Sequence, residues 1–337
     1  MQVGSTTGVL RAEIWTDDIL PGFQQAVLGF GADPDGEGDL YATLVRRSGK
    51  QPARNVVLAV HGFTDYFFNT ELAAYFDARE FRFYALDLDK CGRSRREGQT
   101  PHFTTDLARY DREFEHALRM IHEENPAAKV LVYGHSAGGL IVSLWLDRVR
   151  RREATTSLGI AGLMLNSPWL DLHGPRILRT WLTTTAIRAI SRVRKSRIVR
   201  GTGHGGYGLT LHRDYHGEFD YDLQWKPLGG FPVTFGWLHA VRAGQARLHR
   251  GLDVGVPNLI LRSDHSVPET SAPRTMQRGD AVLDVTQIAR WAGCIGNHTS
   301  VVPITDAKHD VFLSMTEPRA EAYRELTQWL DRQTGFE

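Results

Sequence analysis

Residues 129–142 read Lys129-Val130-Leu131-Val132-Tyr133-Gly134-His135-Ser136-Ala137-Gly138-Gly139-Leu140-Ile141-Val142. An apolar, β-branched run precedes a Gly-x-Ser-x-Gly sequence and a second apolar run follows it, which predicts a strand, a sharp turn and a helix. The turn brings backbone segments close together, so the residues flanking Ser136 must be small. The serine hydroxyl is then exposed at the N-terminus of a helix, where the helix dipole favours developing negative charge.

Similar apolar runs alternate with helical patterns on both sides of this stretch. The alternation predicts an α/β fold with a mostly parallel central sheet and helices on both faces. Strands are predicted at 41–46, 55–60, 81–88, 129–133, 160–165, 258–261 and 300–304. Helices are predicted at 106–122, 139–149 and about 317–332. Several of these strands are almost wholly apolar, as expected for strands buried on both faces.

The alternation stops between residues 168 and 243. This segment is too long for a plain connection in a compact domain, so it is predicted to be an inserted cap, with 1–167 and 244–337 forming the core. Residues 176–200 contain no acidic residue. Their basic residues are Arg176, Arg179, Arg188, Arg192, Arg194, Lys195, Arg197 and Arg200, and the interleaved apolar residues include Ile177, Leu178, Trp181, Leu182, Ile187 and Ile190. The pattern fits a solvated helix packed over the site, and also a helix that contacts an anionic membrane surface or head group.

The bulk composition of the 337 residues limits the classes of partner. The formal net charge is +1 at pH 7, so the chain has no overall field that would attract nucleic acid. The first residues show no basic segment followed by an apolar one, and no apolar run reaches the roughly 18 residues that span a bilayer. Cys91 and Cys294 fit a reducing compartment, although a disulfide between them stays open. A soluble cytoplasmic protein is expected.

His61-Gly62-Phe63 directly follows the predicted buried strand that ends at Val60. Acyl transfer at a serine requires two N–H donors that bind the negatively charged oxygen of the tetrahedral intermediate. The backbone N–H groups of Phe63 and Ala137 are the candidates, because one follows an earlier strand and the other follows Ser136.

His309 lies between the last predicted strand and the last predicted helix. It is the only one of the 14 histidines in that loop, which is expected at the same edge of the sheet as Ser136. A serine hydroxyl at neutral pH needs a base whose pKa is near 7, and imidazole is such a base. His309 is therefore the candidate base, while the side chain of the adjacent Asp310 is expected to point elsewhere.

Taken together, these features resemble the α/β-hydrolase superfamily. Within it the chain is most similar to the monoacylglycerol lipase, lysophospholipase and serine aminopeptidase group, over roughly residues 40–335. The motifs at 134–139 and 61–63 match those of the group. Asp87-Leu88-Asp89 and Gly92-Arg93-Ser94 also resemble its Asp-x-x-Gly-x-Gly-x-Ser segment, with one glycine replaced.

The resemblance also implies an acid that orients the histidine, shortly after the strand that follows the cap. Ser266 occupies the position that the Gly-x-x-Asp pattern of the group gives to the acid, and Asp264 stands two residues earlier. Asp280-Ala281-Val282-Leu283-Asp284 resembles the Asp-x-Val-Val-Asp stretch in which the acid stands first. We prefer Asp280 and keep Asp264 as the alternative. Asp284 is expected at a helix N-terminus.

The resemblance implies a serine hydrolase of the carboxylesterase or lipase type. Ser136, His309 and Asp280 would form the triad, and the substrate would be monoacylglycerol, lysophospholipid or a similar acyl ester. No metal and no organic cofactor are implied. A peptidase or amidase of the same fold is the nearest alternative, and a non-catalytic binding protein of this fold is the alternative from another class. An aspartate nucleophile, as in dehalogenases, is disfavoured because position 136 is serine.

Overall fold

A sheet of nine strands forms the centre of the computed structural model, which describes residues 14–49, 52–173, 180–203 and 205–336. The strands of the chain are β1 (Thr16–Asp17), β2 (Phe23–Ala32), β3 (Asp39–Arg47), β4 (Asn55–Val60), β5 (Phe81–Asp87), β6 (Lys129–His135), β7 (Ile160–Asn166), β8 (Ile198–Arg200), β9 (Val233–Thr234), β10 (Asn258–Ser263) and β11 (Thr299–Ile304). The large sheet has the order β1-β2-β3-β5-β4-β6-β7-β10-β11, and β8 pairs separately with β9.

The sheet is parallel from β5 to β11 and antiparallel at its other edge, where β1, β2, β3 and β5 pair. The mostly parallel sheet predicted from the sequence is therefore confirmed. β1 and β2 were not predicted. β2 contains Gln24, Gln25, Gly29 and Gly31 and is exposed along much of its length, so it lacks the apolar run that marks a buried strand.

Helices cover both faces of the sheet, as predicted. They are α1 (Thr70–Ala78), α2 (Asp111–Glu124), α3 (Ala137–Arg151), α4 (Trp181–Val193), α5 (Gly206–Leu209), α6 (Phe235–Leu248), α7 (Pro273–Met276), α8 (Val285–Trp291) and α9 (Thr316–Leu330). Phe114 of α2 and Trp145 of α3 pack in the core on one face, and Phe76 of α1 and Leu326 of α9 pack on the other. Each such apolar side chain contributes roughly 1.5–3 kcal/mol on full burial.

The helix predicted at 106–122 is α-helical only from Asp111. Residues 107–110 form a 3-10 turn, and the Asp106 carboxylate accepts a hydrogen bond from the N–H of Ala108 at its start. This cap favours the tighter turn before the α-helix begins.

The segment between β7 and β10 contains α4, β8, α5, β9 and α6. Residue 243, the predicted end of the cap, lies within α6. Trp237, Val241 and Leu248 of α6 pack into the core on one face of the sheet, so the predicted boundary falls inside a helix that covers the sheet. Among the described residues, no helix combines the length and the apolar character needed to cross a bilayer.

Candidate active site

The turn between β6 and α3 holds Ser136 in an unusual backbone conformation. Its φ is 51° and its ψ is −118°, in a region that residues with a side chain rarely adopt. A Cβ added to Gly138 would lie 2.3 Å from the carbonyl oxygen of His61, and one added to Gly134 would lie 2.7 Å from Val142 Cγ2. The backbone crossings around Ser136 therefore require glycine at both positions.

The structure brings Asp280 and His309 together. Asp280 Oδ2 lies 2.8 Å from His309 Nδ1, and both side chains are buried. Asp280 Oδ1 accepts hydrogen bonds from the N–H groups of Val282 and Leu283, each at 2.8 Å. The carboxylate is thus held on both oxygens, and it favours the imidazole tautomer that has its proton on Nδ1.

His309 Nε2 is buried and has no hydrogen-bond partner within the described part of the chain. Ser136 and His309 line the same cavity. Because Asp280 occupies Nδ1, Nε2 is the ring nitrogen with a free lone pair. Nε2 is therefore the atom of His309 that can take a proton from a hydroxyl in that cavity.

Asp264 is not at the His309 ring. Its side chain is 37% exposed, and it accepts hydrogen bonds from His265 Nδ1 at 2.8 Å and from the N–H of Asp306 at 3.1 Å. Ser266 pairs with Asp280 through an isolated parallel bridge, and its Oγ donates to the carbonyl of Leu283 at 2.8 Å. After β10 the chain forms a long loop, residues 267–279, which brings Asp280 back beside Ser266.

Asp310 points away from His309, as the sequence predicts. Its Oδ1 accepts a hydrogen bond at 2.7 Å from Asn166 Nδ2 at the end of β7. The carbonyl of Asn166 accepts the N–H of Ser136 at 2.9 Å, so one buried asparagine ties the turn at Ser136 to the His309 loop. Sequence reasoning missed Asn166, because a single asparagine at the end of an apolar run has no distinguishing pattern.

Asp284 caps α8. Its carboxylate accepts a hydrogen bond from the N–H of Thr286 at 3.0 Å, which confirms the prediction that it lies at a helix N-terminus.

The two candidate N–H donors lie beside the serine. Ala137 is the first residue of α3, so its N–H has no acceptor within the helix. A Cβ added to Gly62 would lie 2.9 Å from Ser136 Cβ, so the chain at Gly62-Phe63 passes directly against the serine. Within the described residues, neither the N–H of Phe63 nor that of Ala137 donates to a protein acceptor.

Residues of the predicted core and of the segment predicted as a cap, 168–243, together line a cavity of about 220 Å³ above Ser136. The predicted core contributes Phe63, Asp65, His135, Val282 and Leu283, and the predicted cap contributes Trp169, Tyr207, Tyr221, Lys226, Leu228, Phe231 and Val233. Burial lowers the pKa of His135, whose ring centroid lies 4.9 Å from that of His309. Burial by itself raises the pKa of Asp65, but the neighbouring positively charged groups, first among them the Lys226 ammonium 2.7 Å away, together lower it overall. Sequence reasoning assigned no role to either residue of this pair.

Within the part of the chain that the structure describes, two groups of neighbouring side chains have the atom types of metal ligands. One is His61, Cys91 and His102, all buried; the other is Asp264, His265 and Asp306. In the first group His61 Nε2 accepts the N–H of Leu88 at 3.1 Å, and Cys91 Sγ lies 3.1 Å from His102 Nδ1. Each member already has a protein partner, so the cluster is explained by hydrogen bonding.

Cys91 and Cys294 are both thiols, which excludes the disulfide left open by the sequence.

A family model described as serine aminopeptidase, S33, matches residues 51–272, well over half of the chain. The chain belongs to this family of α/β-hydrolases. The matched range includes Ser136 and Phe63 and ends before Asp280 and His309. No curated protein matches the sequence.

Solved structures support the same fold. A soluble variant of monoglyceride lipase from Saccharomyces cerevisiae, in complex with a substrate analog, has 16% identity and a TM-score of 0.62, covering 98% of this chain and 99% of that one. A thermostable carboxyl esterase from Bacillus coagulans, in complex with glycerol, has 14% identity and a TM-score of 0.61, covering 93% of this chain and 99% of that one. At these identities the likeness establishes the α/β-hydrolase fold that the sequence predicts.

Proposed function

We propose that the chain is a serine hydrolase that cleaves carboxylic esters through an acyl-enzyme on Ser136. The observation that carries the proposal is the arrangement of His309. Its Nδ1 binds the buried Asp280, its buried Nε2 has no hydrogen-bond partner among the described residues, and His309 lines the cavity that Ser136 lines. A buried imidazole held in this way is suited to act as a base toward a hydroxyl.

In the proposed reaction, His309 Nε2 takes the proton of Ser136 Oγ as that oxygen attacks the ester carbonyl. The N–H groups of Phe63 and Ala137 bind the oxyanion, and the C–O bond to the alcohol breaks as His309 returns the proton to the leaving oxygen. Water then attacks the acyl-enzyme by the same proton transfers, releasing the acid and restoring the serine. Asp280 orients the ring and stabilises its charged form.

The cavity lining and the solved structures support a proposal for the substrate class. Apolar side chains such as Trp169, Leu228, Phe231 and Val282 line the cavity and suit an acyl chain. Monoacylglycerol, lysophospholipid and similar acyl esters are therefore the proposed substrates. The solved monoglyceride lipase contains a substrate analog, and the solved esterase contains glycerol.

Amide hydrolysis is the second candidate. The family model is that of a serine aminopeptidase, and the same serine and histidine would attack an amide carbonyl. Matched p-nitrophenyl ester and p-nitroanilide substrates with the same acyl group distinguish the two activities.

Covalent labelling tests the proposal. A fluorophosphonate probe is expected to label the wild-type chain at Ser136, and Ser136→Ala is expected to abolish both labelling and ester turnover. Ser157→Ala, which removes an exposed hydroxyl bonded to the carbonyl of Ala154, is the control and is expected to label normally. A series of p-nitrophenyl esters, run beside monoacylglycerol and lysophospholipid, then defines the acyl length. Folded protein that takes up no probe would support a non-catalytic binding protein instead.

The cap is also proposed to contact anionic lipid surfaces. Arg188, Arg192, Arg194 and Arg197 are exposed beside the exposed apolar residues Ile190, Val193, Ile198 and Val199. Exposed apolar side chains among basic ones suit the interface of an anionic membrane. Lys195 and Arg200 are paired with Asp35 and Glu269, whereas Arg176, Arg179, Ile177 and Leu178 lie outside the described residues. Greater sedimentation with phosphatidylserine vesicles than with phosphatidylcholine vesicles is expected, and equal sedimentation would overturn this proposal.

A further inference from the structure

The loop that follows β4 is attached to the cap at successive residues. The ring of Phe63 stacks on Trp237 of α6, with ring centroids 5.3 Å apart and planes 20° from parallel. The next residue, Thr64, accepts a hydrogen bond on Oγ1 from the N–H of Phe231 at 2.9 Å. Thr64 has a φ of 55°, a left-handed conformation that persists in a residue with a side chain only where tertiary contacts hold it.

The following two residues continue the pattern. Asp65 Oδ1 accepts a hydrogen bond from Lys226 Nζ at 2.7 Å, and the hydroxyl of Tyr66 accepts the N–H of Asp222 at 2.7 Å. Among the described residues, every side-chain hydrogen bond of Thr64, Asp65 and Tyr66 goes to the cap. The conformation of residues 63–66 is therefore set in large part by the cap.

The core holds the same loop at its two ends. His61 accepts the N–H of Leu88, and the N–H of Phe67 donates to Asp87 Oδ1 at 2.9 Å. Between these anchors, the N–H of Phe63 must lie within hydrogen-bond reach of an oxyanion on Ser136, and an error of about 1 Å in such a position can cost about a hundredfold in rate.

Lys226 makes the charged contact among these four cap contacts. It and Asp65 are 9% and 6% exposed, so the ion pair is largely removed from water. Removing one partner from a buried ion pair leaves an uncompensated charge, which makes the pair hard to separate. The pair thus joins cap and loop at the residue two positions after Phe63.

We propose that Lys226 is a positioning residue, which acts through Asp65 to hold the N–H of Phe63 in its catalytic place, so that a cap seated as in this structure completes the oxyanion site. The inference rests on the proposed function. It adds that catalytic competence depends on the cap: an arrangement of the cap that separates Lys226 from Asp65 leaves Ser136 and His309 in place but weakens oxyanion binding.

Two lysine variants test this inference. Lys226→Met breaks the pair with Asp65, and Lys195→Met is the matched control, since Lys195 also joins the cap to a core aspartate, with Nζ 2.9 Å from Asp35 Oδ1. Lys226→Met is expected to lower kcat for a short, soluble p-nitrophenyl ester by roughly tenfold to hundredfold with little change in KM, because the N–H binds the oxyanion of the transition state. Lys195→Met is expected to leave kcat within about twofold, since Asp35 keeps its pairing with Arg109.

The double variant Lys226→Met/Asp65→Asn removes both charges. It provides the same test if the single variant Lys226→Met fails to fold. Its kcat is expected to stay low while its melting temperature returns toward that of the wild type. Unchanged kcat in the folded Lys226 variants, or an equal loss in Lys195→Met, would overturn the positioning role. A wild-type chain that neither labels with fluorophosphonate nor turns over ester would instead overturn the proposed function.

Discussion

The elbow (residues 134–139) and the Asp280 loop (residues 264–284) bring their side chains to the same site by different physical means. In the elbow, steric crowding determines the structure: a Cβ on Gly138 would lie 2.3 Å from the carbonyl oxygen of His61. In the Asp280 loop, hydrogen bonds determine it. The N–H of Val267 donates to the carbonyl of Asp280 at 2.9 Å, and the N–H of Asp280 donates to that of His265 at 3.1 Å.

This difference shows which structural constraints on a site residue can be recognised as a pattern in the sequence. Crowding between backbones excludes side chains, so it leaves glycines at fixed offsets from Ser136. Backbone hydrogen bonds accept almost any side chain, so the signal around Asp280 is weaker and consists of the likeness of residues 280–284 to the Asp-x-Val-Val-Asp stretch. The elbow is visible in a single sequence for this reason, whereas the sequence favours Asp280 only through that likeness and leaves Asp264 open.

The largest loss of activity is expected when the hydrogen bond between Asp280 and His309 is removed. Asp280→Asn should lower kcat by about 10⁴-fold, because an amide stabilises neither the required tautomer nor the charged imidazole. Asp264→Asn is the control, since that side chain bonds His265 and the N–H of Asp306. Ester turnover of both variants checks the prediction. If Asp264→Asn loses as much activity as Asp280→Asn, the contact between Asp280 and His309 is not the functional one.

An intermediate loss of activity and stability is expected when a side chain is added at a crowded position of the elbow. Gly138→Ala should cost about 1–3 kcal/mol of unfolding free energy through overpacking. It should also lower kcat roughly a hundredfold by displacing the loop at His61. Urea unfolding and steady-state kinetics measure the two quantities.

Gly293→Ala is the matched control for this crowding, because no atom lies within 4 Å of a Cβ added there. A Gly138→Ala variant as active and stable as Gly293→Ala would contradict the claim that sterics determine the elbow.

The smallest loss of activity and stability is expected when a side-chain hydrogen bond within the Asp280 loop is removed. Ser266 Oγ donates to the carbonyl of Leu283 and accepts the N–H of Val285 at 2.9 Å. Ser266→Ala should cost about 1 kcal/mol of stability, with a loss of less than about tenfold in kcat because the bonds to Asp280 itself remain.

Ser271→Ala is the control on the same loop, where the described hydrogen bond uses the backbone N–H of Ser271. Thermal melts and kcat distinguish the two serine variants. A loss after Ser266→Ala as large as that after Asp280→Asn would mean that the loop depends on one side chain rather than on its backbone.

The sequence by itself determined the parallel sheet, the turn at Ser136 and the loop that contains His309. The strand predicted at 55–60 coincides with β4, and the predicted strands on either side of Ser136 lie within β6 and β7. These features depend on local patterns: apolar runs where a strand is buried on both faces, and small residues where backbones cross.

Only the tertiary structure decided which carboxylate contacts His309, that Asn166 ties Ser136 to the Asp310 loop, and that Lys226 of the cap binds Asp65. Asp280 and His309 are 29 residues apart, and Lys226 and Asp65 are 161 apart. The physical reason is that a hydrogen bond or ion pair between distant residues constrains two positions in space without imposing a spacing along the chain. Such pairs become visible when the sheet and the cap bring them within 3 Å.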